Sequence, residues 1–465
     1  MSITNNISRI VMTTVVVAVF SSCHIYNKFD VEKVSDHSAL ATEYADAKEA
    51  NSTDSTAYKP IAWQDVFTDP ILVDLINQAL ANNSNLENAK LNVDIAHAQL
   101  KGARLSYLPS FTLMPNGAGA SYDNSPINWT YQLPLAVSWE IDIFGKLLNS
   151  NRAAKASLLQ SKAYAQAVHS QIISGVANCY YAIVNLENQL SLSRQTAKLW
   201  GESVEVMKNL KLAGRVNEAA VVQSTAQYYS ILASITDLEL ALHETNNSMS
   251  LLLNVMPCTW AVNTERAFEA PNFVRAGIPM LELAARPDVR AAEQSLAAAY
   301  YTTNKARTAF YPNLTISANG GLTNLLGSVI TNPGKWFVQL AGQLTMPLFS
   351  RGANIAQLEA TKAQQKQALN NFEYTLLSAS AEISDAMLLY TKSNEKADLL
   401  TIQVENLKKS VEYTQELLTL GTSTYLEVLT AQQSLLGAQM SQLSCELARI
   451  QAVINLYQAL GGGQI

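Results

Sequence analysis

The amino-acid sequence predicts a mainly α-helical fold with a smaller β part, built as a duplicated unit of helix, β-hairpin and a pair of long helices. Three kinds of landmark occur twice in the 465 residues: a Pro that precedes a strand, a Phe that follows one, and a Gly turn. The members of each pair are about 205 residues apart, which indicates an internal repeat. The pairs are Pro109 and Pro312, Phe144 and Phe349, and Gly214 and Gly421.

The β part is predicted from two stretches in which apolar and polar residues alternate. Residues 129–141 carry a large apolar side chain at every second position, and residues 336–346 repeat the pattern less strictly. Such a period of two is typical of a strand. Residues 111–117 and 314–321 are expected to be the hairpin partners. Pro134 is expected at a sheet edge or a bulge, because proline cannot donate a hydrogen bond to a ladder.

The helical part is predicted to contain exceptionally long helices. Residues 353–418 contain neither Pro nor Gly, and residues 147–212 contain only two Gly. A helix of this length extends roughly 100 Å. A first helix is expected to be capped by Asp69, to begin at Pro70 and to run to about Leu105. We expect an elongated molecule with both hairpins at one end and both Gly turns at the other.

The last helix carries an apolar seam with coiled-coil spacing. Its apolar residues recur every seven positions, and a second set follows the preceding helix. The first set is Leu429, Leu436, Leu443, Ile450 and Tyr457.

The strands are long enough to cross a bilayer, which takes about 9–11 tilted residues. Four strands cannot close a barrel, since the smallest bacterial barrels have about eight. An open sheet edge in lipid leaves backbone groups without hydrogen bonds. If these strands span a membrane, several copies must therefore combine them. The alternative is a soluble sheet with one buried face.

The N-terminus predicts export and lipidation. Arg9 precedes the apolar run 10–20, and two serines then precede Cys23. Residues 1–22 therefore read as a lipoprotein signal peptide, after whose removal the Cys23 thiol is acylated. An ordinary signal peptide with an incidental Cys is the alternative. Residues 23–60 are predicted to be a lipidated tether.

The rest of the chain divides into two predicted structural repeats and a tail. The predicted boundaries are 61–270 for the first repeat (hairpin about 110–142, long helices about 147–253), 271–460 for the second (hairpin about 313–347, long helices about 352–458) and 461–465 for the tail.

Catalytic, metal and cofactor motifs are not found in the sequence. The five histidines show no metal-ligand spacing, and there is no phosphate loop or nucleophile elbow. The three cysteines after Cys23 are an odd, widely spaced set, which argues against a disulfide framework. The net charge of −6 gives no basic footprint for nucleic acid. We expect a protein that is not an enzyme.

The turn at Gly421 is the candidate functional site. Gly421 ends the longest helix, and Ser423 or Thr424 is expected to cap the next one. Glu427 lies one turn inside that helix. In a rotationally symmetric ring the same carboxylate from each chain would face the axis, where it would select cations. A plain helix–turn–helix corner is the alternative.

Six segments, in this order, resemble the TolC family of outer-membrane efflux ducts, and specifically its lipoprotein branch that serves resistance-nodulation-division multidrug pumps. The resemblance covers about residues 60–465. The segments are 63–70, 107–110, 138–146, 286–289, 310–314 and 421–432.

The resemblance implies a homotrimer with a twelve-stranded transmembrane β-barrel in the outer membrane and a long α-helical barrel across the periplasm. It implies a passive exit duct for small toxic compounds, with a periplasmic membrane-fusion adaptor and an inner-membrane efflux pump as partners. The protein would be lipid-anchored and would need no cofactor. A duct for protein secretion and a periplasmic coiled-coil scaffold are the alternatives.

The resemblance also implies a periplasmic gate at the turn after the second long helix. The family often has two acidic residues three positions apart there, whereas this chain has Glu427 and Thr430. We therefore predict a single ring of Glu427, with Thr430 and Thr424 beside it. The turns that the family uses to contact its adaptor correspond to Gly214, Arg215, Val216, Gly421, Thr422 and Ser423.

Overall fold

The structure is a computed structural model that describes residues 24–36, 38–53, 62–121, 123, 126–264, 280–323 and 335–462. The predicted signal peptide, Cys23 and the last three residues lie outside this part of the chain. After a 3-10 turn at His24–Tyr26, eleven helices are described. They are α1 (Val31–Val34), α2 (Ala39–Thr53), α3 (Trp63–Val66), α4 (Pro70–Asn82), α5 (Ser84–Leu105), α6 (Lys146–Leu212), α7 (Glu218–Leu252), α8 (Met280–Ala285), α9 (Pro287–Thr308), α10 (Ala353–Thr419) and α11 (Tyr425–Ala459).

The described strands form one antiparallel sheet. Both long strands predicted from alternation are confirmed. The partner predicted at 111–117 is wrong as one strand, because Met114 and Pro115 interrupt it. The strands are β1 (Ser110–Leu113), β2 (Asn116–Ala120), β3 (Asn128–Ile141), β4 (Asn313–Thr323) and β5 (Lys335–Thr345). Their order in the sheet is β1-β3-β4-β5, and β2 also pairs with β3.

Of the two places expected for Pro134, a sheet edge or a bulge, the edge is wrong. Pro134 lies within β3, which is paired on both sides. Its carbonyl accepts a hydrogen bond from Met114, 3.1 Å away, within the interruption between β1 and β2. The N–H and C=O of one residue in an antiparallel ladder point to the same side. The N–H that Pro134 lacks would therefore face a place where the ladder is already broken.

The duplication is reproduced in the helix lengths. The long helices α6 and α10 each have 67 residues, and their successors α7 and α11 each have 35. The single first helix predicted to reach Leu105 is wrong, because Asn83 separates α4 from α5. The Asn83 side-chain oxygen accepts hydrogen bonds from Asn85 and Leu86 at 2.9 and 3.2 Å, which caps α5. Asp69 caps α4 as predicted, through a 2.9 Å bond from Ile71.

The chain forms two compact units. The first consists of Met1–Ala45, Leu91–Lys162 and Arg290–Tyr374, and it contains all the described strands. The second consists of Asp46–Lys90, Ala163–Val289 and Thr375–Ile465.

Each unit has its own buried aromatic and aliphatic side chains. In the first, Tyr44 packs edge-on against Phe372, with ring centroids 5.2 Å apart. In the second, Phe67 packs in the same way on Tyr457 at 5.7 Å. Within the described ranges, no helix combines the length and the apolar character that crossing a membrane requires.

Candidate gate and helix-turn tips

The turn between α10 and α11 is a Schellman motif. Gly421 has a φ of +74°, a conformation that costs glycine little. Its N–H donates to the Leu418 carbonyl and the N–H of Thr422 donates to the Leu417 carbonyl, both at 3.0 Å. These two bonds satisfy carbonyls that the end of a helix leaves free, so the position of Gly421 fixes where α10 stops.

The turn between α6 and α7 has the same construction. Gly214 has a φ of +68°, and its N–H donates to Lys211. The N–H of Arg215 donates to Leu210, and both bonds are 2.9 Å long. Asn217 then caps α7 by accepting from the N–H of Ala220 at 3.1 Å. The two predicted tip turns are therefore structural equivalents within the second unit.

Glu427 is exposed and accepts two hydrogen bonds from side chains of its own turn. Ser423 donates to Oε2, and Thr424 donates to Oε1 at 3.3 Å. The Ser423 bond is the main reason that the pKa of the Glu427 carboxyl lies below its usual value, with a smaller contribution from Thr424. The geometry therefore holds an ionised carboxylate at the start of α11.

Capping of α11 by a side chain is a prediction that the structure contradicts. Thr424 occupies the N-cap position, but its side chain makes no capping bond to the backbone. The hydroxyls of Thr424 and Ser423 serve the Glu427 carboxylate instead. The sequence alone could not distinguish these two uses of a hydroxyl near a helix start.

Thr430 stands apart from this group. Its hydroxyl donates to the Leu426 carbonyl at 2.9 Å, one turn back along α11. The structure thus brings Ser423, Thr424 and Glu427 together and leaves Thr430 exposed beside them. In the other turn Arg215 is exposed and Val216 is half-buried.

The start of α11 rests on a buried cluster that sequence reasoning missed. Leu429 packs with Trp200 of α6 and Ile231 of α7. Tyr425 and Leu436, also on α11, pack against the same cluster. The seven-residue spacing indicated Leu429 and Leu436, but nothing in the sequence paired them with Trp200. This cluster fixes the helix that carries Glu427.

Arg286 is a second important residue, which the sequence analysis placed only within the segment 286–289 of the family resemblance. Its side chain is buried and donates to the carboxylates of Asp288 and Glu382, both at 2.7 Å, and to the Ala459 carbonyl at 2.8 Å. Burial would lower the pKa of the guanidinium, but the two carboxylates raise it above its usual value. One side chain thus joins the start of α9 to α10 and to the end of α11.

Metal-binding clusters of His, Cys, Asp or Glu are not present in the described ranges. The three cysteines there, Cys179, Cys258 and Cys445, are free. The tip turn at Gly421 offers a carboxylate, Glu427, held by the hydroxyls of Ser423 and Thr424.

The family model described as "Outer membrane efflux protein" matches residues 75–255 and 278–462. The chain belongs to this family. The probable outer membrane lipoprotein SilC of Salmonella typhimurium is 29% identical over 420 residues, covering 88% of this chain and 89% of SilC. The cation efflux system protein CusC of Escherichia coli is 28% identical over 413 residues, covering 87% of this chain and 90% of CusC.

Two solved structures are also similar to this protein in fold and in sequence. A crystal structure of CusC has a TM-score of 0.78 and 27% identity, covering 88% of this chain and 96% of CusC. The open state of the MtrE outer membrane channel of Neisseria gonorrhoeae has a TM-score of 0.78 and 26% identity, covering 87% of this chain and 92% of MtrE. The predicted family, fold class, efflux function and outer-membrane location are confirmed. The relatives are efflux proteins and not enzymes.

Proposed function

We propose that this protein is the passive exit duct of a tripartite efflux system for small toxic compounds. Three copies would combine their strands into one transmembrane β-barrel. Because β1 and β2 follow one another along β3, each chain offers four strand positions, and three chains offer about the twelve that a closed barrel can use. The long helices would continue the duct across the periplasm.

The observation that carries this proposal is the exposed apolar face of β5. Trp336 and Leu340 are each 77% exposed, and Leu344 lies on the same face. A soluble sheet buries its apolar face, whereas a membrane barrel turns that face to lipid. The alternation of these residues with Gln339 and Gln343 suits a wall between lipid and water.

Glu427 would form a ring of carboxylates at the periplasmic gate, with Thr424 and Thr430 beside it. A glutamate is ionised at neutral pH, and the hydrogen bonds from Ser423 and Thr424, which lower the pKa of Glu427, would offset part of the rise caused by neighbouring carboxylates in a ring. A ring of carboxylates favours cations over anions. The turns at Gly214 and Gly421 would contact the periplasmic adaptor, which links the duct to an inner-membrane pump. Energy would come from that pump, so the duct itself would need no cofactor.

Cys23 would carry the lipid anchor after removal of residues 1–22. The described residues that follow are held against the first unit, where Asn149 donates to the Ile25 carbonyl and Tyr44 packs on Phe372, so the anchor would lie close to the folded body. The name of SilC as a lipoprotein supports this assignment. Intact mass spectrometry of the exported protein would test it. The expected mass begins at Cys23 with added acyl groups, and a Cys23→Ser variant should lose both the cleavage and the added mass. An unmodified wild-type Cys23 would contradict the anchor.

The test of the duct is single-channel conductance of the purified protein in planar bilayers, beside its native mass. We expect a trimer with discrete, cation-selective conductance, and a loss of selectivity in Glu427→Ala. Glu416→Ala removes an exposed carboxylate of α10 and is the control that should keep selectivity. Unchanged selectivity in Glu427→Ala would contradict the carboxylate ring and leave the proposed exit duct standing. A folded monomer that needs no detergent would reject the duct.

A further inference from the structure

The sheet of the first unit has two edges that lack a partner strand among the described residues. One edge is β5, which pairs only with β4. The other edge is formed by β1 and β2 together, since both pair only with β3. An unpaired edge presents N–H and C=O groups to which another strand can bind. Because the two edges differ, one edge of a copy can meet the other edge of the next copy, and such contacts can close a ring.

The internal duplication indicates which residues meet at these edges. Helices α5 and α9 correspond with a shift of 203 residues at both ends, and β1 and β4 begin 203 residues apart. In the ladders, Ser110 lies opposite Ser138, and Asn313 lies opposite Thr345. Because Ser110 corresponds to Asn313, Ser138 corresponds to Thr345, with a shift of 207 residues. The same shift relates α6 to α10 and α7 to α11.

The contact between β3 and β4 therefore has a counterpart between β5 and the edge formed by β1 and β2. Within the chain, Pro134 of β3 lies opposite Gly321 of β4. When the two shifts are applied, Ala341 of β5 falls opposite Ala118 of β2. The described strands of one chain do not make this pairing. It is available only between two copies.

The hydrogen-bonding directions of the two edges agree with this register. In an antiparallel ladder the N–H and C=O of one residue point to the same side, and the side alternates along the strand. The N–H of Met114 donates to Pro134 of β3, so the backbone groups of Gly117 and Gly119 point away from β3. The same alternation, followed across β4, turns the even-numbered residues of β5 away from β4. The register places these residues opposite the odd-numbered residues of β2, so the free groups face one another.

The same register keeps the apolar face of the sheet continuous from one copy to the next. Leu340, which is 77% exposed, falls opposite Gly119. Leu348, which follows β5 and is 89% exposed, falls opposite Phe111, which is 67% exposed. Large apolar side chains that face each other across neighbouring strands stabilise their pairing. The segment after β5 would thus extend along β1 of the next copy.

We propose that the barrel closes in one defined register, in which β5 of one copy pairs with β2 of the next and Ala341 lies opposite Ala118 of the next copy. This inference rests on the proposed trimeric duct and adds the residues that join its copies. The pairing between copies then repeats the pairing of β3 with β4 inside each chain. Three contacts of this one kind close the ring.

Disulfide cross-linking of the full-length protein in outer-membrane fractions tests the register. Ala118 and Ala341 would form a non-hydrogen-bonded pair, whose Cα atoms lie about 4.5 Å apart, within the reach of a disulfide. The double variant Ala118→Cys with Ala341→Cys should therefore give covalent trimers on a non-reducing gel after oxidation. Ala118→Cys combined with Gln339→Cys or Gln343→Cys represents a register slipped by two residues. These pairs should give less than about a tenth of that yield, because diagonal neighbours lie about 7–8 Å apart.

Two controls accompany these variants. Ala136→Cys with Asn319→Cys joins residues that lie opposite each other within the chain, so its bridge should leave the protein monomeric on the gel. The single variants Ala118→Cys and Ala341→Cys show any disulfides to the native cysteines, which are free among the described residues.

A higher yield with Gln339→Cys or Gln343→Cys than with Ala341→Cys would overturn the register. Dimers of Ala341→Cys alone would show that β5 pairs with β5 of another copy, and would overturn its contact with β2. The proposal also fails if a native trimer forms the control bridge of Ala136→Cys with Asn319→Cys but none of the three pairs between copies. These outcomes leave the duct standing, whereas a folded monomer that needs no detergent contradicts the duct itself.

Discussion

The buried side chain of Asn149 holds the main chain of Ile25. Its amide nitrogen donates to the Ile25 carbonyl at 3.0 Å and to the Gly145 carbonyl at 2.7 Å. Arg152 adds bonds to the carbonyls of Tyr26 and Asn27 at 3.0 and 3.1 Å. The segment that follows Cys23 is therefore fixed on the first turns of α6, directly after the sheet.

Asn149→Ala should release this segment while leaving α6 intact. The change removes both bonds at a buried place, which costs about 1–3 kcal/mol. We expect faster hydrogen exchange at the amides of residues 25–27, measured by mass spectrometry. Asn151→Ala, two positions along the same helix, is the control that should leave exchange unchanged. Protection of residues 25–27 that persists in Asn149→Ala would show that other contacts hold the segment.

The cation selectivity of the proposed duct should depend on pH through Ser423. Because the pKa of Glu427 is lowered, its charge persists at pH values where an ordinary Glu is already protonated, and is lost only as pH falls through the lowered pKa. Ser423→Ala removes the main hydrogen-bond donor, so selectivity should disappear at a higher pH than in the wild type. Reversal potentials measured across a salt gradient at several pH values would show this.

Thr422→Ala is the matched control for Ser423→Ala. The Thr422 hydroxyl donates to the Leu417 carbonyl at 3.1 Å and makes no bond to Glu427. Its pH profile should therefore match that of the wild type. If Ser423→Ala and Thr422→Ala give the same profile, the Ser423 bond does not set the pKa of Glu427.

Truncation of Leu429 should loosen the start of α11, because Leu429 is buried against Trp200 and Ile231. A buried Leu→Ala change costs about 2–5 kcal/mol. We expect Leu429→Ala to lower the melting temperature and to increase the open probability of the duct. Leu426→Ala, at an exposed position of the same helix turn, should change neither quantity. If Leu429→Ala and Leu426→Ala behave alike, the buried cluster does not control the opening of the duct.

The sequence predicted elements whose signal is local and periodic. The alternation at 129–141 and the absence of Pro and Gly at 353–418 were enough to place β3 and α10. Prediction from the sequence failed where the role of a residue depends on a neighbour that is distant along the chain. Pro134 fits inside β3 only because the opposite strand is interrupted, and Arg286 matters only because Glu382 and the end of α11 reach it. Glu427 was found from the Gly421 turn, but its hydrogen bonds needed coordinates.

Loss of the Arg286 side chain should destabilise the second unit. Its bonds to Asp288, Glu382 and the Ala459 carbonyl join three helices, and the side chain that makes them is buried. Arg286→Ala should therefore cost about 1–3 kcal/mol. The exposed pair of Arg194 and Glu239, 2.7 Å apart, is the control, since such pairs contribute about 1 kcal/mol or less. In thermal unfolding followed by circular dichroism, Arg286→Ala should have a clearly lower melting temperature than Arg194→Ala. Similar melting temperatures would contradict the role of Arg286.

Gly321 and Gly342 provide the sharpest test of the sheet. Gly321 of β4 lies opposite Pro134 of β3, and a Cβ there would overlap the Leu133 carbonyl. A Cβ on Gly342 of β5 would meet no atom within 4 Å. Gly321→Ala should therefore separate β3 from β4, whereas Gly342→Ala should be tolerated, since Ala costs less backbone entropy than Gly in a strand. Heat-modifiable gel migration of the membrane fraction should be lost in Gly321→Ala and kept in Gly342→Ala. If both variants keep it, the close approach of Gly321 to Pro134 does not limit assembly of the sheet.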